Sequence, residues 1–86
     1  MWVQPEQHKT VGKVLAEFRK QAGLRQQDLA ALLGKPQSFV SSYEAGQRRI
    51  DVLELLLIAK ALECSAEDIF SRIVRAVARQ RSRGNA

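Results

Sequence analysis

Apolar residues recur at steps of three and four along most of this chain, which is the spacing of one face of an α-helix. Glycines at positions 23, 34 and 46 interrupt the pattern, and glycine commonly follows the last residue of a helix. The chain has no alternating apolar pattern and no Asn-Gly or Asp-Gly hairpin turn, which are the usual signals of strands. The sequence therefore predicts an all-α fold, a compact bundle of five short helices.

The predicted helices cover about residues 10–21, 26–33 and 37–44, with two more that begin after Asp51 and after Ser65. Asp51 with Glu54, and Ser65 with Asp68, have the spacing of capping boxes, which satisfy free N–H groups at a helix start. The residues expected to face inward on the last two helices are Val52, Leu55, Leu56, Ala59 and Leu62, then Ile69, Phe70, Ile73, Val74 and Val77.

With 86 residues the chain has room for one small domain. We predict an N-terminal arm at 1–9, because Pro5 interrupts regular structure there, and a folded domain at 10–79. Residues 80–86 are polar and basic and are predicted to form a flexible tail. The apolar runs are far shorter than the roughly 20 residues of a membrane span, so we expect a cytoplasmic protein without membrane contact.

The 14 lysines and arginines outnumber the 9 acidic residues by five. Residues 1–68 are balanced in charge, and the excess comes from Arg72, Arg75, Arg79, Arg81 and Arg83. A basic excess favours an anionic partner, and nucleic acid before a membrane surface. For this segment taken alone, a solvated charged face is the alternative.

Residues 26–43 have the layout of two short helices joined by a tight turn, which is a helix-turn-helix. Ala30 is small enough for the two helices to cross closely, and Gly34 tolerates the positive φ that the turn needs. Val40 and Tyr43 anchor the second helix from below. The outer face of that helix then carries Gln37, Ser38, Ser41 and Ser42.

Four segments carry a resemblance to the Cro and phage-repressor-like (XRE) family. They are QQDLA at 26–30, SSYEAG at 41–46, IAKAL at 58–62 and DIF at 68–70. In this order and spacing the chain resembles the family over about residues 10–71. The resemblance implies sequence-specific binding of double-stranded DNA by a transcriptional regulator. We expect a repressor that acts as a homodimer on a palindromic operator.

The resemblance also assigns base contacts. Gln37, Ser38 and Ser42 match positions that meet base edges in the major groove, and Ser41 lies on the same face. Glutamine can bond adenine through N6 and N7, whereas serine discriminates less between bases. An exposed polar helix face without a ligand is the alternative reading of these residues.

Phosphate contacts are implied for Gln26, at the start of the first motif helix, and for Arg48 and Arg49 in the loop after the second. Arginine matches the geometry of phosphate well. Lys35 replaces the serine or threonine that is usual before the second helix of the motif, the recognition helix, and is a further candidate for a phosphate contact.

An ion pair between Arg19 and Glu44 is also implied by the resemblance, and it would tie the first helix to the recognition helix. An ordinary surface pair, worth about 0–1 kcal/mol, is the alternative. Arg25 stands where a serine, threonine or asparagine cap is common, so the second helix is predicted to be weakly capped.

Catalysis is not expected. The single histidine, His8, lies in the predicted arm, and the single cysteine, Cys64, is interpreted as a buried filler. The chain has no glycine-rich phosphate loop, and its acidic residues lack the spacing of a metal site. We predict no enzyme activity, no metal and no cofactor.

Four apolar residues point to association. Leu53 and Leu57 lie one turn apart and off the predicted core stripe, and Val74 and Val77 extend past what a small core covers. Exposed apolar groups often mark an interface, here that of a homodimer. The alternative is that they pack on the N-terminal arm, with Trp2.

Two other functions stay open. An antitoxin would regulate its own promoter and bind a toxin protein through this apolar patch or through the tail. A protein-interaction adaptor would keep the fold without binding DNA, since fold does not by itself determine function.

Overall fold

The computed structural model describes residues 5–84, with side chains as far as residue 80. Its helices are α1 (Pro5–Gln21), α2 (Gln26–Leu33), α3 (Gln37–Glu44), α4 (Val52–Ala61) and α5 (Ala66–Gly84). No strand occurs within these residues. The predicted all-α bundle of five helices is therefore confirmed.

The predicted N-terminal arm is wrong for residues 5–9, which form the first turns of α1. Pro5 does not interrupt the helix but begins it. Proline lacks an N–H group, and the first residues of a helix have no intrahelical acceptor for that group, so proline is well tolerated there. Residues 1–4 lie outside the described part of the chain, and so does the prediction for Trp2.

The predicted tail begins inside α5, which continues to Gly84, and its last two residues lie outside the described part of the chain. Helix α5 runs antiparallel to α1 and packs along it. Near one end Thr10 Oγ1 donates a hydrogen bond of 2.6 Å to Gln80 Oε1, and near the other Arg72 pairs with Glu17 at 3.1 Å. These contacts support a helix that composition alone does not predict.

The core lies where α1, α2, α3, α4 and α5 meet, with α1 packed against both α3 and α5. Its fully buried large side chains come from all five helices. They are Leu15, Leu29, Val40, Tyr43, Ile58 and Ile69. The predicted anchors of the recognition helix, Val40 and Tyr43, are thus confirmed as buried.

The predicted inward faces of α4 and α5 are wrong in part. Val52 is 73% exposed, Leu56 50% and Phe70 58%, whereas Ile58, absent from the predicted stripe, is buried. Val74 is also exposed. Helix α4 carries apolar residues on every side, so their spacing alone does not determine which side packs inward.

The predicted capping box of α4 is confirmed. The Asp51 carboxylate accepts from the Glu54 backbone N–H at 2.7 Å, and the Glu54 carboxylate accepts from the Asp51 N–H at 3.0 Å. At the start of α5, Ser65 Oγ accepts from the Asp68 N–H at 3.2 Å. In the part of the chain described, no helix is both long and apolar enough to span a membrane.

Tyr43 is buried, and its hydroxyl has no hydrogen-bond partner among the described residues. A buried hydroxyl without a partner costs about 1–3 kcal/mol. We expect Tyr43→Phe to leave the free energy of unfolding unchanged or to raise it by about 1 kcal/mol. Urea unfolding at neutral pH measures this, and a loss of more than about 1 kcal/mol would contradict it.

The difference in the free energy of unfolding between the wild type and Tyr43→Phe should also depend on pH. Burial, and then the Glu44 charge, raise the pKa of Tyr43, while the unfolded value is about 10. A raised folded pKa favours the neutral phenol, so stability from this group is present below about pH 10 and is lost above it. The wild type should therefore lose stability relative to Tyr43→Phe as the pH rises past about 10.

Candidate nucleic-acid interface

The turn between α2 and α3 holds the two helices of the motif in position. Gly34 has φ 67° and ψ 33°, a left-handed conformation that favours glycine. Its N–H and that of Lys35 bond back to Ala31 O and Ala30 O at 3.1 and 2.9 Å. Pro36 then precedes α3 in an extended conformation. The positive φ predicted at Gly34 is confirmed.

Helix α3 presents a polar outer face. Gln37 and Ser38 are exposed, while Ser41 and Ser42 are half-buried. The Ser42 hydroxyl bonds back to the carbonyl of Ser38, and Ser41 Oγ donates to the same carbonyl at 3.3 Å. Of the four predicted base-contacting residues, Gln37 has the longest side chain. Two of the three serines already donate their hydroxyl hydrogen bond to a carbonyl of α3.

A chain of polar contacts runs from α1 to this face. Arg19 Nε and Nη2 donate to the two carboxylate oxygens of Glu44 at 2.7 and 3.0 Å. Gln26 Nε2 donates to Glu44 Oε1 at 2.9 Å, and Gln26 Oε1 accepts from Gln37 Nε2 at 3.3 Å. The Gln37 amide is thus oriented by Gln26 on α2, and Gln26 is in turn linked through Glu44 to Arg19.

The ion pair in this chain is nearly buried, since the Arg19 and Glu44 side chains are 9% and 7% exposed. The hydrogen bond that Arg19 donates to the Glu44 carboxylate raises the pKa of Arg19 above its ordinary value. Arg19 Nη1 also donates to Leu24 O at 2.8 Å, in the loop between α1 and α2. One guanidinium therefore joins α1, that loop and the end of α3.

The start of α2 is held differently from a standard cap. Arg25, at the N-cap position, makes no side-chain cap bond. Instead the Asp28 carboxylate accepts from the Arg25 backbone N–H at 2.9 Å and from its guanidinium at 3.1 Å. The start of α2 therefore has half of a capping box. The bond from the N-cap side chain is missing, as predicted from Arg25.

The loop from α3 to α4 carries the two predicted phosphate-binding arginines. Gly46 lies near its start at φ 78°, and a Cβ there would lie 2.7 Å from Lys9 Cα. Arg48 bonds to Glu54 through both terminal nitrogens, at 3.0 and 2.8 Å. Arg49 is exposed and makes no ion pair with the residues described.

Three residues shape this surface without having been predicted as part of it. Gly12 lies in α1 where that helix meets the last carbonyls of α3. Phe39 lies under Arg48, and Glu54 holds that arginine. Only Gly12 carries a signal, because a glycine inside a helical pattern is unfavourable without a packing reason.

The four predicted interface residues lie at the surface of α4 and α5. Leu53, Leu57 and Val74 are exposed, and Val77 is half-buried. Leu57 lines a groove with Leu32 of α2, which is also exposed. Val74 and Val77 line a second shallow groove on α5.

The described residues contain no group of three or more histidine, cysteine or acidic side chains that could hold a metal ion. Cys64 is half-buried and packs against the core, and burial raises the pKa of its thiol. His8 lies on α1, half-buried. This agrees with Cys64 as a packing residue.

Comparison with known proteins places this geometry among helix-turn-helix proteins. A helix-turn-helix family model matches residues 15–69. An uncharacterised HTH-type transcriptional regulator, y4dJ, from Sinorhizobium fredii is 37% identical over 60 residues, which cover 70% of this chain and 78% of that protein.

Two solved structures are similar in sequence and in fold. The restriction-modification controller protein C.AhdI from Aeromonas hydrophila has 34% identity and a TM-score of 0.67, over 72% of this chain and 94% of that one. An XRE-family like protein from Pseudomonas syringae has 34% identity and a TM-score of 0.72, over 81% of this chain and 85% of that one.

Proposed function

The chain belongs to the XRE-type helix-turn-helix family of transcriptional regulators, and from this premise we propose that it is a sequence-specific repressor. It would bind a palindromic operator in double-stranded DNA as a homodimer, in the cytoplasm. The family is one of DNA-binding regulators and not a class of enzymes, as the sequence predicts. The observation that carries the proposal is the oriented Gln37 amide on the exposed face of α3.

Base recognition rests mainly on Gln37. Its Nε2 reaches Gln26, so the side chain is held in place before DNA arrives and less conformational entropy is lost on binding. An amide can both accept from adenine N6 and donate to N7. The hydroxyls of Ser38, Ser41 and Ser42 are short, so readout there would depend on bridging water and on DNA shape.

Phosphate contacts would flank the recognition helix. Gln26 opens α2, where free backbone N–H groups and the helix dipole favour an anion. Lys35 lies exposed in the turn, and Arg49 lies exposed in the loop after α3. Arg48 shares that loop, with its guanidinium on Glu54.

The homodimer would form through apolar residues on α4 and α5. Leu53, Leu57 and Val74 are exposed, with Val77 beside Val74 in one groove. Covering exposed apolar groups with a second copy favours association by about 25 cal/mol for each Å² that is buried. Dimerisation would place two copies of α3 about one turn of DNA apart on one face.

Selection from a random duplex library at about 150 mM salt tests this function. We expect a palindrome whose half-sites lie about 10 bp apart, together with a dimer in light scattering. Gln37→Ala should weaken binding to the selected site by about 1–3 kcal/mol and relax base preference at one position per half-site. The dependence of affinity on salt should not change, because no phosphate contact is lost.

Gln21→Ala is the matched control, since Gln21 is an exposed glutamine at the end of α1, outside the motif. It should bind the selected site as the wild type does. No enrichment of any sequence would contradict the proposal. Enrichment only in the presence of a partner protein would favour the antitoxin, and a partner without DNA binding would favour the adaptor.

A further inference from the structure

The Arg48 guanidinium is already engaged by protein groups. Its Nη1 donates to Glu54 Oε1 at 3.0 Å and its Nη2 donates to Glu54 Oε2 at 2.8 Å, which makes a bidentate salt bridge. Nη1 also donates to Arg49 O at 2.7 Å, within the loop itself. Paired arginine–carboxylate contacts of this kind are geometrically specific, so the side chain is held in one place.

The same guanidinium covers an aromatic ring of the recognition helix. Arg48 Cζ lies 4.6 Å from the centre of the Phe39 ring, and Lys35 Nζ lies 5.7 Å from it. Phe39 is half-buried and meets the buried ring of Tyr43 edge-on, at 5.5 Å between centroids. Cation–π attraction therefore links the loop to α3, beside the core.

Glu54 connects this arrangement to α4. Its carboxylate accepts from the Asp51 N–H at the start of that helix, as well as from Arg48. The bond from Arg48, followed by that from the Asp51 backbone, lowers the pKa of Glu54. The loop and the start of α4 are thus joined at one carboxylate, and Arg48 links that carboxylate to Phe39 in the first turn of α3.

We propose that Arg48 is a positioning residue, anchored by Glu54 and stacked on Phe39, and that Arg49 is the arginine of this loop that binds phosphate. Arg49 is exposed, with no ion pair to the described residues, and its carbonyl is held by Arg48. This inference rests on the proposed function, because the position matters only if the loop meets DNA. It replaces the prediction from the sequence that both arginines bind phosphate.

The two roles of Arg48 predict opposite effects of Glu54→Gln. If Arg48 binds phosphate, removing its competing carboxylate frees the guanidinium and takes a negative charge from the start of α4, beside the loop. Affinity for DNA would then rise. If Arg48 positions the loop, the loop and Arg48 must be ordered on binding, and affinity should fall roughly five- to tenfold. Glutamine still accepts from the Asp51 N–H, so the start of α4 is kept.

Arg48→Lys separates the roles in a second way. Lysine keeps the positive charge that a phosphate ligand needs, but it lacks the planar fork that pairs with a carboxylate. A positioning role predicts that Arg48→Lys loses about as much affinity as Glu54→Gln. A phosphate contact predicts only a modest loss for Arg48→Lys, because lysine still binds phosphate as a point charge although it lacks the fork.

Salt dependence supplies the readout that loss of structure would not mimic. Arg49→Ala should lower the magnitude of the slope of log K against log salt by about 0.9 per protomer, because one phosphate contact is lost. Glu54→Gln should leave the slope unchanged while affinity falls. Thermal melts by circular dichroism establish that each variant is folded at the temperature of the titration.

Fluorescence anisotropy on the duplex recovered by selection measures all four proteins. Weaker binding by Glu54→Gln and Arg48→Lys with an unchanged slope supports the positioning role. If the wild type binds and Glu54→Gln binds as tightly or more tightly, the positioning role is overturned and the proposed function stands. If the wild type binds no DNA at all, both are overturned.

Discussion

Gly12→Ala is expected to lower the free energy of unfolding by about 2–3 kcal/mol, although alanine is the better helix former. A Cβ at Gly12 would lie 2.5 Å from Glu44 O and 2.8 Å from Glu44 C, and closer still to Tyr43 O. These are backbone atoms at the end of α3, and they cannot turn away as a side chain would. Helix α1 and the recognition helix would have to separate.

Separation of these helices should also weaken DNA binding, because the end of α3 carries Glu44, which orients Gln26. Urea unfolding measures the loss of stability. Lys13→Ala is the matched control, since Lys13 is exposed on the same helix and should change stability by less than about 0.5 kcal/mol. A gain of about 1 kcal/mol for Gly12→Ala, as helix propensity alone predicts, would contradict the close contact.

Arg19→Met is expected to cost about 3–5 kcal/mol, because it leaves the nearly buried Glu44 carboxylate without its cation. Methionine retains much of the apolar stem, so loss of packing contributes less than loss of charge. The loss would also free Leu24 O, which accepts from Arg19 at 2.8 Å. Chemical unfolding of the variant and the wild type at neutral pH provides the measurement.

A double-mutant cycle separates the pair from its surroundings. Removing both partners in Arg19→Met with Glu44→Leu should cost less than the sum of the single variants, by about 1–3 kcal/mol. Arg72→Met breaks the pair with Glu17, whose two side chains are 43% and 45% exposed, and should cost less than about 1 kcal/mol. Equal losses of stability for Arg19→Met and Arg72→Met would show that burial does not determine how much the pair of Arg19 and Glu44 stabilises the fold.

Features that depend on neighbouring residues were predicted well from the sequence. The left-handed turn at Gly34 and the capping box of Asp51 and Glu54 are both local, and both are confirmed. Val40 and Tyr43 were recognised as anchors because their spacing puts them on one side of a short helix that has a polar opposite side.

The candidate site was predicted as a set of residues with one contact, the ion pair of Arg19 and Glu44, which is present in the structure. Gln26, Gln37, Arg19 and Glu44 were each singled out, yet the path of hydrogen bonds that joins them depends on how three helices cross. The pairing of Arg48 with Glu54 was missed, because its partners lie six residues apart on either side of a helix start. Their roles on DNA stay predictions.

The sequence by itself determined the all-α class, the helix-turn-helix and the polar face of α3, since periodicity and turn chemistry act over a few residues. Only the tertiary structure decided which side of α4 packs inward, how far α5 extends along α1, and why residue 12 is glycine. Helix α4 is apolar on every side, the end of α5 is polar, and α1 crosses α3 closely at residue 12. The structure of each of these segments depends on residues that are distant in the chain. Packing between helices, not local propensity, selects among the arrangements that such segments allow.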